Sequence, residues 1–302
     1  MKINYSREYL RSEKKGFAFV VPALLFMLAF VGYPIIYNFI LSVYNVDIMT
    51  LGQQHKEFVG LKNYIDVFNN PLMLISIWNT FLFTIGSISI QFVIGFALAL
   101  FFNLEFTLAK PMRGLLVVSW MIPMTVIALL SKFMLSPSGG IINQLLLNLQ
   151  IIDQPIGWLI NNSTALWSVI LANSWVGIPF NMILLTTGLS NISKSLYEAA
   201  EVDGATSLQK FFYITLPQLR PAILSVVILG FIYTFKVFDL VFVATGGGPV
   251  NATELMSTLA YKLSFAQFAF SKGATVANVL FIILFVVSLG YLKLIRKDEV
   301  IN

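Results

Sequence analysis

The residue types that carry most enzyme and metal chemistry are scarce in this sequence. It has no cysteine and a single histidine, His55. A thiolate zinc site and a disulfide framework are therefore excluded, and no Ser-His-Asp set is evident. The glycine run that begins at Gly246 lacks the Gly-Lys-Ser/Thr ending of a phosphate-binding P-loop. The sequence predicts a chain that binds no cofactor and catalyses no reaction.

The strongest local signals lie in the connection formed by residues 190–221. Ser195 and Glu198 have the spacing of a helix capping box, and Gly204 suits the left-handed position that ends a helix. Thr206 or Ser207 is a candidate cap for a second helix. The sequence therefore predicts two short helices joined by a sharp turn.

The second of these helices has an apolar side. Leu208 and Phe211 share it with Phe212, Thr215 and Leu216 at helical spacing. Pro217 is expected to stop this helix, and Pro221 to open the next one. Without further information, an amphipathic pair of helices resting on a membrane surface is an alternative interpretation.

The composition of the chain indicates what kind of helices residues 190–221 connect. Of the 302 residues, 58% are hydrophobic and 11% are charged, and the mean hydropathy is +0.83. Soluble domains carry about a quarter charged residues. The sequence therefore predicts an all-α membrane protein with about six transmembrane helices, since a span needs about 20 residues. We place the spans at Phe17–Val43, Ile77–Phe102, Gly114–Met134, Ala165–Leu189, Ala222–Thr245 and Ala274–Ile295.

The distribution of basic residues predicts the orientation. Most lysines and arginines fall in the two ends of the chain and in every second connection, and the cytoplasmic side retains such residues. Both termini are therefore expected in the cytoplasm, as a segment 1–16 and a tail 296–302 that flank a transmembrane domain of residues 17–295. The basic residues form no single stripe, so the net charge of +5 does not indicate nucleic acid binding.

The connection of residues 190–221, which we call the coupling segment, resembles the cytoplasmic loop of binding-protein-dependent ABC import permeases. That pattern reads Glu-Ala-Ala, three residues, Gly, nine residues, Ile, one residue, Leu-Pro. The matching residues are Glu198, Ala199, Ala200, Gly204, Ile214, Leu216 and Pro217. The resemblance implies the ABC importer permease fold and a coupling helix, about residues 196–211, that docks in a cleft of an ATPase subunit. The implied coupling residues are Glu198, Ala199, Ala200, Asp203, Gly204, Leu208 and Phe211.

Other segments resemble the carbohydrate-uptake type of these permeases. They are Phe58–Tyr64, Trp158–Leu159, Phe238–Asp239, Thr245–Pro249 and Thr253–Glu254. The run Thr245–Pro249, Thr-Gly-Gly-Gly-Pro, resembles the loop after the fifth span in one of the two permease types, the one usually paired with a different permease. From the local sequence alone, this run predicts only a tight loop.

A sugar path through lipid requires polar and aromatic side chains inside spans. The candidate path residues are Asn173, Trp175, Asn181, Tyr233, Lys236 and Asp239. Lys236 and Asp239 are three residues apart, so they could instead pair on one helix face. Trp175 and Tyr233 could instead pack between helices or anchor the chain at the membrane interface.

The resemblance implies a permease subunit of an ATP-driven sugar importer, with a di- or oligosaccharide as its cargo, in the cytoplasmic membrane of a prokaryote. The implied partners are a second, different permease, two ATPase subunits that carry ATP and Mg, and an extracytoplasmic sugar-binding protein. An ion-coupled secondary transporter is the alternative. It would need ionisable residues at the middle of the membrane, and these are sparse here.

Overall fold

The computed structural model describes residues 19–104 and 106–299, with side chains described up to Lys293. The predicted segment 1–16 lies outside these residues. Helices dominate the described chain, and one short hairpin pairs β1 (Tyr44–Asn45) with β2 (Glu57–Phe58). The helices are α1 (Phe19–Val43), α2 (Lys62–Phe68), α3 (Pro71–Asn103), α4 (Ala109–Trp120), α5 (Met124–Met134), α6 (Ile141–Asn148), α7 (Asn162–Ser190), α8 (Lys194–Val202), α9 (Ser207–Gln218), α10 (Arg220–Phe235), α11 (Asp239–Ala244), α12 (Met256–Tyr261) and α13 (Phe270–Glu299).

The described helices confirm an all-α membrane protein. Helices α1, α3, α7 and α13 are each long and apolar enough to cross a membrane. Two bent pairs, α4 with α5 and α9 with α10, bring the possible spans to six. The predicted number of about six spans therefore agrees with the structure.

Two predicted spans are not the continuous helices that we expected. The third breaks after Trp120, and α4 and α5 meet at 93°. Pro123 lies in extended backbone just before α5, so it cannot continue α4. The predicted fifth span, Ala222–Thr245, ends as a helix at Phe235 and resumes at Asp239. The residues around the first break are apolar, so hydropathy does not reveal it. The second break falls at Lys236 and Asp239, whose two charges are averaged out by the long apolar run on either side.

The centre of the fold is the packing of α3 against α7. Two glycines permit close approach, as is common between membrane helices. A Cβ on Gly95 would lie 2.7 Å from the Cβ of Asn181, and one on Gly177 would lie 2.2 Å from the side chain of Gln91. The Gln91 amide donates to the backbone oxygen of Asn173 at 3.2 Å. Helix α7 is therefore the most enclosed of the four long spans.

The first and last spans are joined by polar contacts. Asn38 in α1 donates to the Asn278 side chain in α13 at 2.6 Å. Asn63, at the start of α2, donates to the backbone oxygens of Ser42 and Tyr44, each at 2.9 Å. The segment Phe58–Tyr64 thus fixes the chain as it leaves α1.

Candidate functional site

The coupling segment contains the predicted pair of short helices, α8 and α9. Helix α8 ends where Gly204 adopts a φ of +76°. The Ala205 amide donates to the Ala200 oxygen at 2.8 Å, and the Gly204 amide donates to the Glu201 oxygen at 3.0 Å. These two bonds form a Schellman motif, which satisfies the last carbonyls of the helix. The predicted left-handed glycine is confirmed.

The caps of the two helices differ from each other. Thr206 caps α9 as predicted: its side chain accepts from the Gln209 amide, and the Gln209 side chain accepts from the Thr206 amide. The predicted capping box of Ser195 and Glu198 is wrong. Helix α8 begins at Lys194 with Ser193 at the N-cap, which places Ser195 inside the first turn with helical geometry. The Ser195 hydroxyl instead contacts the Ser193 hydroxyl at 2.7 Å.

The two helices form one unit. Lys210 donates to Glu201 at 2.6 Å, and this hydrogen bond lowers the pKa of the Glu201 carboxyl below its ordinary value. The hydroxyls of Tyr197 and Thr215 are 2.9 Å apart. These contacts fix α8 against α9, so the segment can move as a body.

The outer surface of this unit carries the residues that we predicted to couple. Glu198, Ala199, Asp203 and Gly204 are exposed, and Ala200 is half-buried. Two apolar side chains stand out, since Val202 is 90% and Leu208 71% exposed. Both side chains are therefore accessible to a partner at this surface.

Phe211 connects the unit to the spans. It is half-buried, and its ring lies 6.1 Å from that of Phe96 in α3. The chain then bends by 60° between α9 and α10. Leu219, at the bend, is fully buried, and Pro221 lies in the first turn of α10 as predicted. Packed side chains thus join the unit to α3 and α10.

The structure separates the candidate path residues into two groups. Asn173 and Asn181 are buried in α7, where the Asn181 amide donates to the Gly177 oxygen at 2.8 Å. Among the described residues, the buried Asn181 Oδ1 has no hydrogen-bond partner. Trp175 and Tyr233, by contrast, are 56% and 57% exposed. The two asparagines are therefore packed between helices, whereas the two aromatic side chains are accessible to a ligand or a partner.

Tyr233 belongs to a row of aromatic side chains that the sequence did not single out. Its ring lies 6.0 Å from Phe180 in α7, and Phe180 lies 5.7 Å from Trp120 at the end of α4. Aromatic residues in apolar spans look like ordinary packing groups in the sequence, and the packing of α4 against α7 brings Trp120 to Phe180.

Lys236 and Asp239 do not share a helix face. Lys236 follows the last residue of α10, and Asp239 is the first residue of α11, so a break in the helix separates them. Both are described residues, and no ion pair joins them; the Lys236 ammonium instead lies 5.4 Å from the centre of the Tyr233 ring. The alternative of a pair on one face is therefore wrong, because it assumed a continuous helix.

The loop of residues 245–254, which we call the glycine loop, encloses a carboxylate. Glu254 is fully buried, forms an ion pair with Lys262 and accepts from the Thr258 hydroxyl at 2.9 Å. Gly247 has a φ of +88°, and a Cβ there would lie 2.0 Å from the Glu254 carboxylate. Asn79 in α3 donates to the backbone oxygens of Asn251 and Glu254. The loop is thus fastened to α3 by contacts that its sequence does not reveal.

Comparison with known proteins agrees with this architecture. Residues 91–295, more than half of the chain, match the family described as "binding-protein-dependent transport system inner membrane component". A probable ABC transporter permease protein, YurN of Bacillus subtilis, is 35% identical over 94% of this chain and 96% of its own length. The trehalose/maltose transport system permease protein MalF of Thermococcus litoralis is 31% identical over 95% of this chain and 96% of its own length.

A solved structure has the same fold. It is that of a bacterial alginate ABC transporter in complex with an alginate pentasaccharide-bound periplasmic protein. One of its chains superposes with a TM-score of 0.80 at 21% identity, covering 96% of this chain and 97% of that one. The family match, the curated relatives and the apolar helices lead to one conclusion: the chain is a multi-pass protein of the family of inner membrane components of binding-protein-dependent transport systems.

Proposed function

We propose that this chain is one of two permease subunits in an ATP-driven importer of di- or oligosaccharides. The coupling segment carries the proposal, because it is a fixed two-helix unit with exposed apolar side chains and the complete spaced pattern of the family. The substrate class is supported by the relative named for trehalose and maltose and by the alginate transporter with the same fold.

In this proposal, ATP and Mg bind to two separate ATPase subunits, and the coupling segment docks on one of them. The chain contains no P-loop, and among its described residues no group of His, Cys, Asp and Glu could hold a metal ion. Glu198, Asp203 and Leu208 would meet the ATPase at the exposed surface. Closure of the ATPases would then move α8 and α9 as a unit and shift α3 and α10 through Phe211 and Leu219.

The remaining assembly follows the same logic. A second, different permease would complete the channel, and an extracytoplasmic sugar-binding protein would deliver the cargo. The coupling segment, the segment 1–16 and the tail 296–302 would lie in the cytoplasm, in agreement with the distribution of basic residues. Tyr233 and Trp175 are the path residues best placed to stack on a sugar. Lys236 and Asp239 are also exposed, whereas Asn173 and Asn181 are buried and would have to be reached by a change in helix packing.

No observation favours the ion-coupled alternative. The buried ion pair of Glu254 and Lys262 supports the glycine loop beside α3, and both charges are matched. Family membership also favours transport driven by a separate ATPase.

Copurification and transport measurements test the proposal. A tagged chain expressed with its neighbouring genes is expected to bring down two ATPase subunits for each pair of permeases, and uptake in vesicles should require ATP inside. A half-channel would otherwise expose polar groups to lipid. Recovery of the chain alone as an oligomer that transports sugar without ATP would overturn the proposal.

A further inference from the structure

A basic cavity lies at the ends of two spans, outside the path and the docking surface described above. It has a volume of about 600 Å³ and is bounded by the end of α3, the start of α4 and the last residue of α7. Polar groups line much of it: Asn103, Thr107, Lys110, Arg113 and Ser190. We refer to it as the basic cavity.

The charges of this cavity are not matched by acidic groups in the described part of the chain. Neither Lys110 nor Arg113 forms an ion pair with a described residue, and the buried Arg113 Nε has no hydrogen-bond partner. Glu105, in the same connection, lies outside the described residues. A buried donor without a partner costs free energy, which an acceptor inside the cavity would recover.

The helix itself adds to the positive potential. Lys110 and Arg113 lie in the first turns of α4, which has no side-chain cap and no acidic residue in its first turn. Basic residues are unfavourable at this end of a helix, because the helix dipole is also positive there. The arrangement is stabilised when an anion binds in the cavity.

The position of the cavity favours a lipid as the source of this anion. Asn103 and Ser190 are the last residues of membrane-spanning helices, so the cavity lies at the boundary of the membrane. Leu108, at the N-cap of α4, and Leu115 in α4 do not line the cavity, but they are 61% and 72% exposed on the same element and offer an apolar surface to an acyl chain. Basic pockets between spans at this depth are suited to anionic headgroups.

We propose that the basic cavity binds the phosphate of an anionic phospholipid. Lys110 and the Arg113 guanidinium hold the phosphate, and Thr107 and Ser190 can donate hydroxyl hydrogen bonds to it. Because α8 begins at Lys194, close in sequence to Ser190, the bound lipid ties the connection between α3 and α4 to the base of the coupling segment.

Native mass spectrometry of the purified transporter complex tests this proposal. Phosphatidylglycerol or phosphatidylcholine with the same acyl chains is added to the delipidated complex. We expect phosphatidylglycerol to be retained and phosphatidylcholine to be lost. In the Lys110→Gln/Arg113→Gln double variant, retention of phosphatidylglycerol should weaken roughly fivefold for each charge removed.

Two further variants keep the test decisive if the double variant does not fold. Arg113→Lys retains the charge and should retain the lipid, and Glu105→Gln should bind it at least as well as the wild type. Lys272→Gln, which removes an exposed charge from the first turn of α13, is the matched control and should bind like the wild type. Equal retention of the two lipids, or full retention by the double variant, would overturn the proposal. So would loss of an ATPase subunit from the double variant with its lipid still bound.

Discussion

At the scale of single residues, Gly247 shows how one missing side chain makes room for a buried charge. The Glu254 carboxylate and the Lys262 ammonium occupy the space where a Cβ would lie, 2.0 and 2.8 Å from it. The carboxylate cannot move away without leaving a buried charge poorly matched, which is costly. The φ of +88° adds backbone strain for any other residue.

We therefore predict that Gly247→Ala destabilises the protein by at least about 2 kcal/mol. Gly52→Ala is the matched control, because Gly52 lies in another connection and a Cβ there would meet nothing within 4 Å. Thermal unfolding of the purified complexes, followed by intrinsic fluorescence, measures the difference. Equal transition temperatures for the two variants would show that the glycine loop does not need this space.

Tyr233 carries the prediction for the sugar path. Its exposed ring lies in a row with Phe180 and Trp120, so its loss should remove a stacking surface. Tyr233→Ala is expected to raise the KM for uptake roughly tenfold and to change the preference among related sugars, with assembly intact. Tyr233→Phe keeps the ring and should retain most of the affinity. If both variants transport like the wild type, Tyr233 is a packing residue.

At the scale of elements, the close packing of α3 and α7 depends on Gly95. A Cβ at this position would lie 3.1 Å from the Ile178 oxygen and 3.2 Å from the Met182 nitrogen, and backbone atoms within a helix cannot easily move aside. We predict that Gly95→Ala destabilises the protein by about 1–3 kcal/mol. The control is Gly114→Ala in α4, where nothing lies within 4 Å and alanine favours the helix. A Gly95→Ala protein as heat-stable as this control would contradict the role of α3–α7 packing.

Some features of the helices could be predicted from the sequence, and others could not. Gly204 and Thr206 were predictable, because the turn and the cap depend on residues within one helical turn. The predicted capping box of Ser195 is wrong because a second serine, Ser193, occupies the N-cap position. Helix α8 therefore starts earlier than predicted, at Lys194. The bend before Met124 was missed because apolar composition continues across it. The break after Phe235 was missed because Lys236 and Asp239 were interpreted as polar residues within one continuous span.

Contacts between distant segments were the least predictable. Glu254 and Thr80 illustrate this, since the former is buried beneath the glycine loop and the latter accepts from the Met256 amide at 2.9 Å. Neither residue carries a local signal for these partners. For the path, the sequence suggested Tyr233 as a candidate but did not suggest Phe180 and Trp120, its neighbours in the aromatic row.

At the scale of the whole molecule, the coupling segment links an exposed surface to the packed spans. Its two helices are joined by Gly204, and its apolar end contacts α3 through Phe211. A rigid body with one free surface and one packed surface can transmit a displacement without a flexible loop absorbing it. The central claim is that this body couples ATP hydrolysis to transport.

Sugar-stimulated ATP hydrolysis and uptake, measured together in reconstituted complexes, test this claim most directly. Gly204→Val places a β-branched residue at positive φ and should misplace α8, whereas Glu198→Ala removes an exposed carboxylate from the docking surface. Gly139→Val is the matched control, because Gly139 also has a positive φ, with open space around it, in a connection far from the coupling segment.

We predict at least about fivefold loss of both activities for Gly204→Val, from strain of about 1–2 kcal/mol. Glu198→Ala should lose less, and the control should match the wild type. Wild-type stimulation and uptake in Gly204→Val and Glu198→Ala complexes of normal stoichiometry would contradict the coupling role of this segment.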